Sequence, residues 1–300
     1  MKAQDMKWML NRIVRIDCIE GLRSLPAASV DVIVTSPPYN IGVKYRTYDD
    51  RKAPEEYIAW MREIASECRR VMKEDASFFL NIGGTLSNPW FPMEIALRSF
   101  RDQLQLQNLI HWIKSIAIPM EYMKSQYLEI RRDLMIGHYK PVNSERYHHD
   151  AHEFIFHFTK YGDVKLKKLN IGVPYQDKSN VGRWKSAKSD LRDRGNVWFI
   201  PYDTIQTKRE HPAVFPVRLA EMCILDHGKG GSDGGMTGLL VLDPFMGIGS
   251  TAVACINLDV NFIGFEIDET YIRIANERID EALKEKGQNT QRSYPSSFIG

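Results

Sequence analysis

The sequence predicts an α/β chain built on a doubly wound, mostly parallel sheet, and three observations carry that prediction. Val30 to Val34 and Leu239 to Asp243 are short apolar runs that read as buried strands. The second run leads into Pro244-Phe245-Met246-Gly247-Ile248-Gly249-Ser250-Thr251 and then a helical stretch from Ala252 to Leu258. Strand, glycine-rich turn and helix N-terminus in that order suit a nucleotide cofactor, because glycines let the backbone approach the ligand. A third run, Phe262 to Asp268, carries Glu266 nineteen residues after Gly247. At about that spacing a carboxylate can accept ribose hydroxyls.

Composition sets the frame. Three hundred residues, 43% hydrophobic and 26% charged, suit one large α/β domain or a domain with an insertion. No apolar run approaches the ~18 residues of a membrane-spanning helix, and MKAQDMKWML lacks the apolar centre of a signal peptide. Cys18, Cys68, Cys223 and Cys255 are scattered without a C-x-x-C pair, which predicts a reducing cytoplasm and neither disulfide framework nor zinc site. The net charge is only +2, yet Lys160 to Arg194 holds ten Lys/Arg against four Asp, a local +6 on a mildly acidic body. Such a segment suits phosphate, or is a solvated basic loop.

In chain order, Ile13 to Ile16 reads as a short strand ending at Asp17, and Glu20 to Ala28 as a turn or short helix. The strand from Val30 ends at Thr35-Ser36-Pro37-Pro38-Tyr39-Asn40, since two prolines cannot continue a sheet ladder. A polar side chain, a stiff backbone and an aromatic ring are thus presented at the carboxyl end of a strand, where open α/β sheets bind ligands. Ile41 to Lys52, with Tyr45, Tyr48, Asp49 and Asp50, reads as a mobile loop beside that edge. Pro54 opens a helix whose Ile58, Met61, Ile64, Ala65, Cys68, Val71 and Met72 recur at helical spacing. Ser77 to Ile82 is a strand turned by Gly83-Gly84, and Pro89 to Phe100 a helix. Leu106 to Ile113 and Glu153 to Thr159 read as an antiparallel pair. His148, His149, His152 and His157 show no metal-ligand spacing, so no metal is expected. Pro216 to His227 is a helix, Gly228 to Gly238 a loop with six glycines, Thr270 to Leu283 a helix, and the residues from Lys284 a frayed tail.

The Thr35–Asn40 stretch, the Asp243–Thr251 loop and Glu266 together resemble the amino-group DNA methyltransferases that use S-adenosylmethionine. The Ser-Pro-Pro-Tyr form at Ser36–Tyr39, preceding the cofactor motif, resembles the circularly permuted beta class, over about residues 11 to 280. The resemblance implies a Rossmann-like sheet of seven strands with one reversed strand at an edge. It implies a catalytic half at 11–159, a target-recognition region at 160–196, a cofactor half at 197–284 and a tail at 285–300. Ser36 in place of the more usual Asp points to the 4-amino group of cytosine.

Roles follow from the same resemblance. Ser36, Pro37, Pro38 and Tyr39 form the catalytic loop. Asp17, Thr35, His211, Phe215, Asp243, Pro244, Phe245, Gly247, Gly249, Ser250, Thr251 and Glu266 are the cofactor candidates, although Asp17 reads equally as an ordinary strand-end residue. His111 to Lys114 and Glu153 to Phe156 are candidates for a base pocket. Lys165, Lys167, Lys168, Arg183, Trp184 and Lys185 are candidates for double-stranded DNA. The partners this implies are duplex DNA, a homodimer and a cognate restriction endonuclease acting on the same site, with no membrane.

The chemistry is consistent with those residues. An exocyclic amine is a poor nucleophile because its lone pair is delocalised, so acceptors for its hydrogens help; the Ser36 hydroxyl and the Pro37 carbonyl can accept. Tyr39 offers a face to a base flipped out of the duplex. Methylation at cytosine carbon 5 would need a thiolate, and no cysteine lies in the Ser36–Tyr39 motif. Adenine 6-amino methylation is the near alternative. A nicotinamide-dependent oxidoreductase would leave Ser36–Tyr39 idle, and a catalytically dead DNA-binding protein would not need Asp243, Gly247, Gly249, Glu266 and Tyr39 intact.

Overall fold

The computed structural model describes residues 6–85, 88–123, 132–137, 144–183, 189–201, 214–228, 236 and 238–292, the side chains of 122, 123 and 288–292 excepted. The strands are β1 (Arg12–Arg15), β2 (Val30–Thr35), β3 (Met72–Ile82), β4 (Gln105–Ile113), β5 (Ile116–Ile118), β6 (Leu134–Ile136), β7 (His152–Thr159), β8 (Val197–Phe199), β9 (Leu240–Asp243) and β10 (Asn261–Glu266). The helices are α1 (Cys18–Ser24), α2 (Pro54–Val71), α3 (Phe91–Ile95), α4 (Val217–His227), α5 (Ser250–Leu258) and α6 (Glu269–Arg292).

Among the described residues, eight strands form the main sheet in the order β1-β10-β9-β2-β3-β7-β4-β8, and β5 pairs with β6 separately. The strands β1 and β2 are successive in the chain but separated in the sheet by β10 and β9, the last two strands to be made. Joining the chain ends would therefore restore a continuous doubly wound order, as the permutation predicts. All pairs of the main sheet are parallel except those of β7, which runs against both β3 and β4.

The reversed strand is thus interior, not at the edge, and the sheet has eight strands rather than seven. Both differences follow from side chains. In β7, Ile155, Phe156, His157 and Phe158 are all buried, so the strand needs cover on both faces. Gln105, Leu106 and Gln107 of β4 are wetter, which suits a strand near the rim. The three-residue β8 then covers β4 and leaves only a short edge.

Alternating residues feed two cores, as the period of a strand requires. Ile33, Phe78 and Leu80 face α1, α2 and α3. Val32, Val34 and Phe79 face α4 and α5. Helix α2 starts at Pro54, bears Glu55 and Glu56 in its first turn and Arg69 and Arg70 in its last, all favourable to the helix dipole. Arg70 also donates to the carbonyls of Leu22 (2.7 Å) and Leu25 (2.9 Å), closing the end of α1. After α3 the helix continues with π geometry over Ala96–Phe100. Helix α6 runs to Arg292, so the tail expected from Lys284 is helical for two more turns; 293–300 lie outside the described residues. Most of the glycine loop 228–238 does too.

One contact fixes how α1 sits on the sheet. A Cβ at Gly21 would lie 2.6 Å from the Phe265 ring, which is fully buried in β10. Alanine favours a helix over glycine by about 1 kcal/mol, whereas overpacking a core costs about 1–3 kcal/mol. Gly21→Ala is therefore expected to lower stability, by up to roughly 2 kcal/mol net, as a lower midpoint in denaturant melts; a higher midpoint would contradict this packing.

Candidate active site

The carboxyl ends of β2, β3, β9 and β10 and the amino end of β7 meet at one cavity of about 800 Å³. Its floor is made of the two motifs, and a carboxylate joins them. Asp243, at the end of β9, is 1% exposed and accepts from the hydroxyls of Thr35 and Thr251 at 2.6 Å each and from the Phe245 N–H at 3.0 Å. Burial pushes its carboxyl up to about 6, against those three donors, which favour the ionised form. Thr35, Asp243 and Thr251 therefore form the wall behind the cavity rather than its lining.

The glycine turn is held from the other side. Glu266 accepts from the Gly247 N–H (2.9 Å) through one oxygen and from Ile267 and Asp268 N–H (2.8 Å each) through the other. Burial still raises its carboxyl above the ordinary value. Gly249 sits at φ +83, the left-handed region open to glycine, and a Cβ there would lie 3.0 Å from that of Ala275. Asp17 caps α1, accepting from Ile19 N–H at 2.9 Å and Glu20 N–H at 3.4 Å, so its bland and its ligand readings coexist: it also lines the cavity. Phe215, Pro244, Phe245, Gly247, Ser250 and Glu266 line it as well. The Ser250 hydroxyl is buried there with no partner among the described residues. His211 lies outside the described residues.

The Ser36–Tyr39 loop is held in place for visible reasons. The Pro38 carbonyl accepts from the Tyr57 hydroxyl at 2.5 Å, and Asn40 exchanges two side-chain bonds with the Lys52 backbone. Buried Asp50 accepts from the N–H groups of Asn40, Ile41 and Val43 at 2.8, 3.1 and 3.0 Å. The stretch Ile41–Lys52, expected to be a mobile loop, is beside the cavity as predicted but is stapled by Asp50. Tyr48 stacks on Trp60 (5.9 Å between centroids), and Trp60 meets Phe245 edge-on (5.5 Å), which links this loop to the glycine turn.

A polar cluster occupies the other end of the cavity. Ser36 and Tyr39 hydroxyls are 2.8 Å apart, Tyr39 donates to Glu153 at 3.0 Å, and Lys114 pairs with Glu153 at 2.6 Å. Asn81, at the end of β3, donates to Glu153 (2.7 Å) and to Tyr39 (2.9 Å). Burial, then the Glu153 charge, hold the Tyr39 hydroxyl well above its ordinary pKa, hence protonated. Of the base-pocket candidates, Trp112, Lys114 and Glu153 line the cavity; His111, Phe154 and Phe156 do not. The sequence reading does not single out Asn81 or Tyr57, and it names Asp50 only as part of the loop. A polar residue closing an apolar strand, as Asn81 closes Phe78-Phe79-Leu80, is the signal that could have found the first.

The described residues of the basic segment 160–196 do not line the cavity. Because β7 is reversed, it delivers the chain to the amino edge of the sheet, where Lys160 pairs with Glu74 at the start of β3. The Lys167 N–H bonds the Asp226 carbonyl at the last turn of α4, and Lys168 pairs with Asp193 at 3.1 Å. Lys165, Lys167 and Lys168 are therefore rooted opposite the cavity, Arg183 does not line it, and Trp184 and Lys185 lie outside the described residues. Of the histidines, His149 lines the cavity, while His157 is buried between Asn108 (2.9 Å) and Ser77 (3.0 Å), and burial pushes its imidazole down to about 3.

A doubly wound sheet that sets a glycine-turn pocket against a hydroxyl-bearing Pro-Pro-Tyr loop defines the class: a DNA amino-methyltransferase. Residues 30–277 match the family model described as DNA methylase (N6_N4_Mtase), and the chain belongs to that family. Among its relatives, the type II methyltransferase M.BglII of Bacillus subtilis is 29% identical over 284 residues, covering 90% of this chain and 69% of its own. The DNA adenine methyltransferase YhdJ of Escherichia coli (strain K12) is 26% identical over 277 residues, covering 90% and 83%. Of solved structures, the cytosine-N4-specific PvuII DNA methyltransferase superposes with a TM-score of 0.60 at 18% identity over 91% of this chain and 89% of its own. A putative DNA modification methylase of Thermus thermophilus, solved with S-adenosyl-L-methionine, gives 0.55 at 22% over 90% and 93%. These two likenesses establish the fold.

The Asp243 link is testable by pH. Its folded-state pKa, about 6, exceeds the ordinary 3.8, so the folded state binds the proton more tightly. That contribution is full below 3.8 and is lost as pH rises through 6. The difference corresponds to ~3 kcal/mol between the protonation states. Asp243→Asn, which cannot titrate, is expected to gain on wild type by up to that amount between pH 4 and pH 7 in denaturant melts; parallel pH curves would contradict it.

Proposed function

We propose that the chain transfers the methyl group of S-adenosylmethionine to the 4-amino group of a cytosine flipped out of duplex DNA. The observation that carries this reading is the hydroxyl of Ser36, fixed at the carboxyl edge in the same cavity as the Gly247–Glu266 turn. The cavity fits the cofactor. Its volume is within the range of small-molecule sites, Glu266 retains one lone pair, on Oε2, after its three backbone bonds, and the Ser250 hydroxyl, without a partner among the described residues, and the Phe215 and Phe245 rings line it. Glu266 and Asp17 would hold the cofactor's hydroxyl and amino groups and the rings its apolar surfaces. When bound, it supplies an activated methyl: the amine lone pair forms the N–C bond as the C–S pair leaves with sulfur.

The protein's own residues position the base. Tyr39 presents its ring on a loop stiffened by Pro37, Pro38 and the Tyr57 bond. Ser36 and the Pro37 carbonyl accept the amine hydrogens, which favours a pyramidal nitrogen. The choice of cytosine rests on Ser36 in the place where related adenine enzymes commonly carry Asp. The adenine 6-amino group is the second reading, favoured by the similarity to YhdJ.

Mass spectrometry of digested product nucleosides tests the proposal: 4-methylcytosine is expected, and 6-methyladenine alone would overturn the base assignment. Ser36→Ala is expected to bind cofactor normally and lose turnover by about 5- to 150-fold, the equivalent of a hydrogen bond of ~1–3 kcal/mol at the transition state.

We place the duplex across the carboxyl edge, over the cavity mouth. Replacing Lys165, Lys167 and Lys168 together, at the opposite edge, is then expected to leave DNA affinity and its salt dependence unchanged. A shallower slope of log K against log salt would return those lysines to the interface.

A further inference from the structure

We propose that Glu153 is the terminus of a proton relay that runs from the target amine through Ser36 and Tyr39, and that it fixes the direction in which Ser36 offers its lone pair. The inference rests on the functional reading above. It starts from the polarity of the cluster. A carboxylate paired with Lys114 at 2.6 Å is an acceptor only. Tyr39, 3.0 Å away, must therefore spend its single proton on Glu153 and not on Ser36. The 2.8 Å contact between the two hydroxyls then has one assignment left, with Ser36 donating to Tyr39. Ser36 has no second proton, and of its two lone pairs one faces the Asn81 amide at 3.4 Å, so what is left for the cavity is the other lone pair, the group an amine hydrogen needs.

Asn81 holds the arrangement. Its amide nitrogen donates to Glu153 at 2.7 Å and Tyr39 at 2.9 Å, and the flipped amide would set oxygen against carboxylate. Gly83 leaves the room, since a Cβ there would come within 2.9 Å of the Glu153 Cγ. These partners come from different elements: Lys114 just after β4, Tyr39 after β2, Asn81 in β3. Beyond the cluster, the charged and imidazole groups that line the cavity are Asp17, Lys52, His149, Asp150 and Glu266.

The step balances. As the nitrogen acquires its methyl group it becomes cationic and strongly acidic. Its N–H breaks and the proton goes to the Ser36 oxygen, the Ser36 proton passes to the Tyr39 oxygen, and the Tyr39 proton passes to Glu153. The methylated amine and both hydroxyls end neutral, and the carboxylate becomes a carboxylic acid. With its side chain 14% exposed, Glu153 returns the proton to water at the mouth. Glu153 touches no substrate atom and acts through Tyr39, as a positioning residue.

Single-turnover methylation of duplex DNA by wild type, Glu153→Gln and Tyr39→Phe tests this across pH. Cofactor binding by calorimetry and base flipping by 2-aminopurine fluorescence are read in parallel. Expected are rates down about 100-fold or more in both variants, a wild-type rate that falls at low pH, no such acid limb in Glu153→Gln, and cofactor binding and flipping within about twofold of wild type. A Glu153→Gln variant with wild-type rate, or with the acid limb intact, overturns the relay. So does a loss of rate matched by an equal loss of flipping, which would make Glu153 a purely structural prop. If Glu153→Gln fails to bind cofactor because it does not fold, Tyr39→Phe decides, and a wild-type rate there overturns the relay equally. Methyl transfer by wild type with unimpaired variants sinks only the relay, whereas no transfer to any duplex sinks the functional reading with it.

Discussion

The site depends on one buried carboxylate. Asp243 ends β9, but its three donors come from the end of β2, the glycine turn and the first turn of α5. Thr35 is 208 residues away in sequence, so no local segment can form this junction alone. The Ser36–Tyr39 loop stands where it does relative to the glycine turn because Thr35, the residue before Ser36, is bound to the same side chain that shapes the turn. An unpaired buried carboxylate would be costly, and the donors offset that cost only when both halves of the permuted chain are in place. Assembly of the sheet and assembly of the site are in this sense one event.

The same logic recurs at smaller scale. Glu266 gathers three backbone N–H groups, one of them across the pocket at Gly247, and Asp50 gathers three more from the loop after Tyr39. Backbone donors that lack sheet or helix partners need acceptors, and two acids supply them at the cavity. The rigid parts of the site are therefore loops by connectivity and fixed structures by hydrogen bonding. A pre-set loop spares the entropy of ordering it when a base arrives.

The strands and their faces were legible because apolar periodicity is local: β2, β9, β10 and the antiparallel pairing of β7 with β4 all appear in the residues themselves. So were the two motifs, since Pro37-Pro38 and Gly247–Gly249 impose backbone conformations that few other residues allow. The place of β7 in the sheet was not legible, because local pattern says that a strand is buried on both faces but not between which neighbours. Asn81 and the role of Asp50 escaped for a related reason. Each draws its role from partners 42 or more residues distant, or from backbone groups with no side-chain signature. The basic run Lys160–Arg194 shows the converse hazard, for composition reports charge and not the edge of the sheet on which it falls.

The reversed strand explains where Glu153 and the lysines after β7 fall. In a purely parallel sheet every strand arrives at the carboxyl edge with its last residues. Only an antiparallel strand can offer that edge its first ones. Glu153 is the second residue of β7, opposite Trp112 of β4 and beside the last residues of β3. It reaches Tyr39 and Asn81 because β7 begins where its neighbours end. The same reversal carries the residues that follow it, Lys160 and Lys165 to Lys168, to the amino edge. One change of direction therefore places an acid against the Ser36 and Tyr39 hydroxyls and roots those lysines at the opposite edge of the sheet.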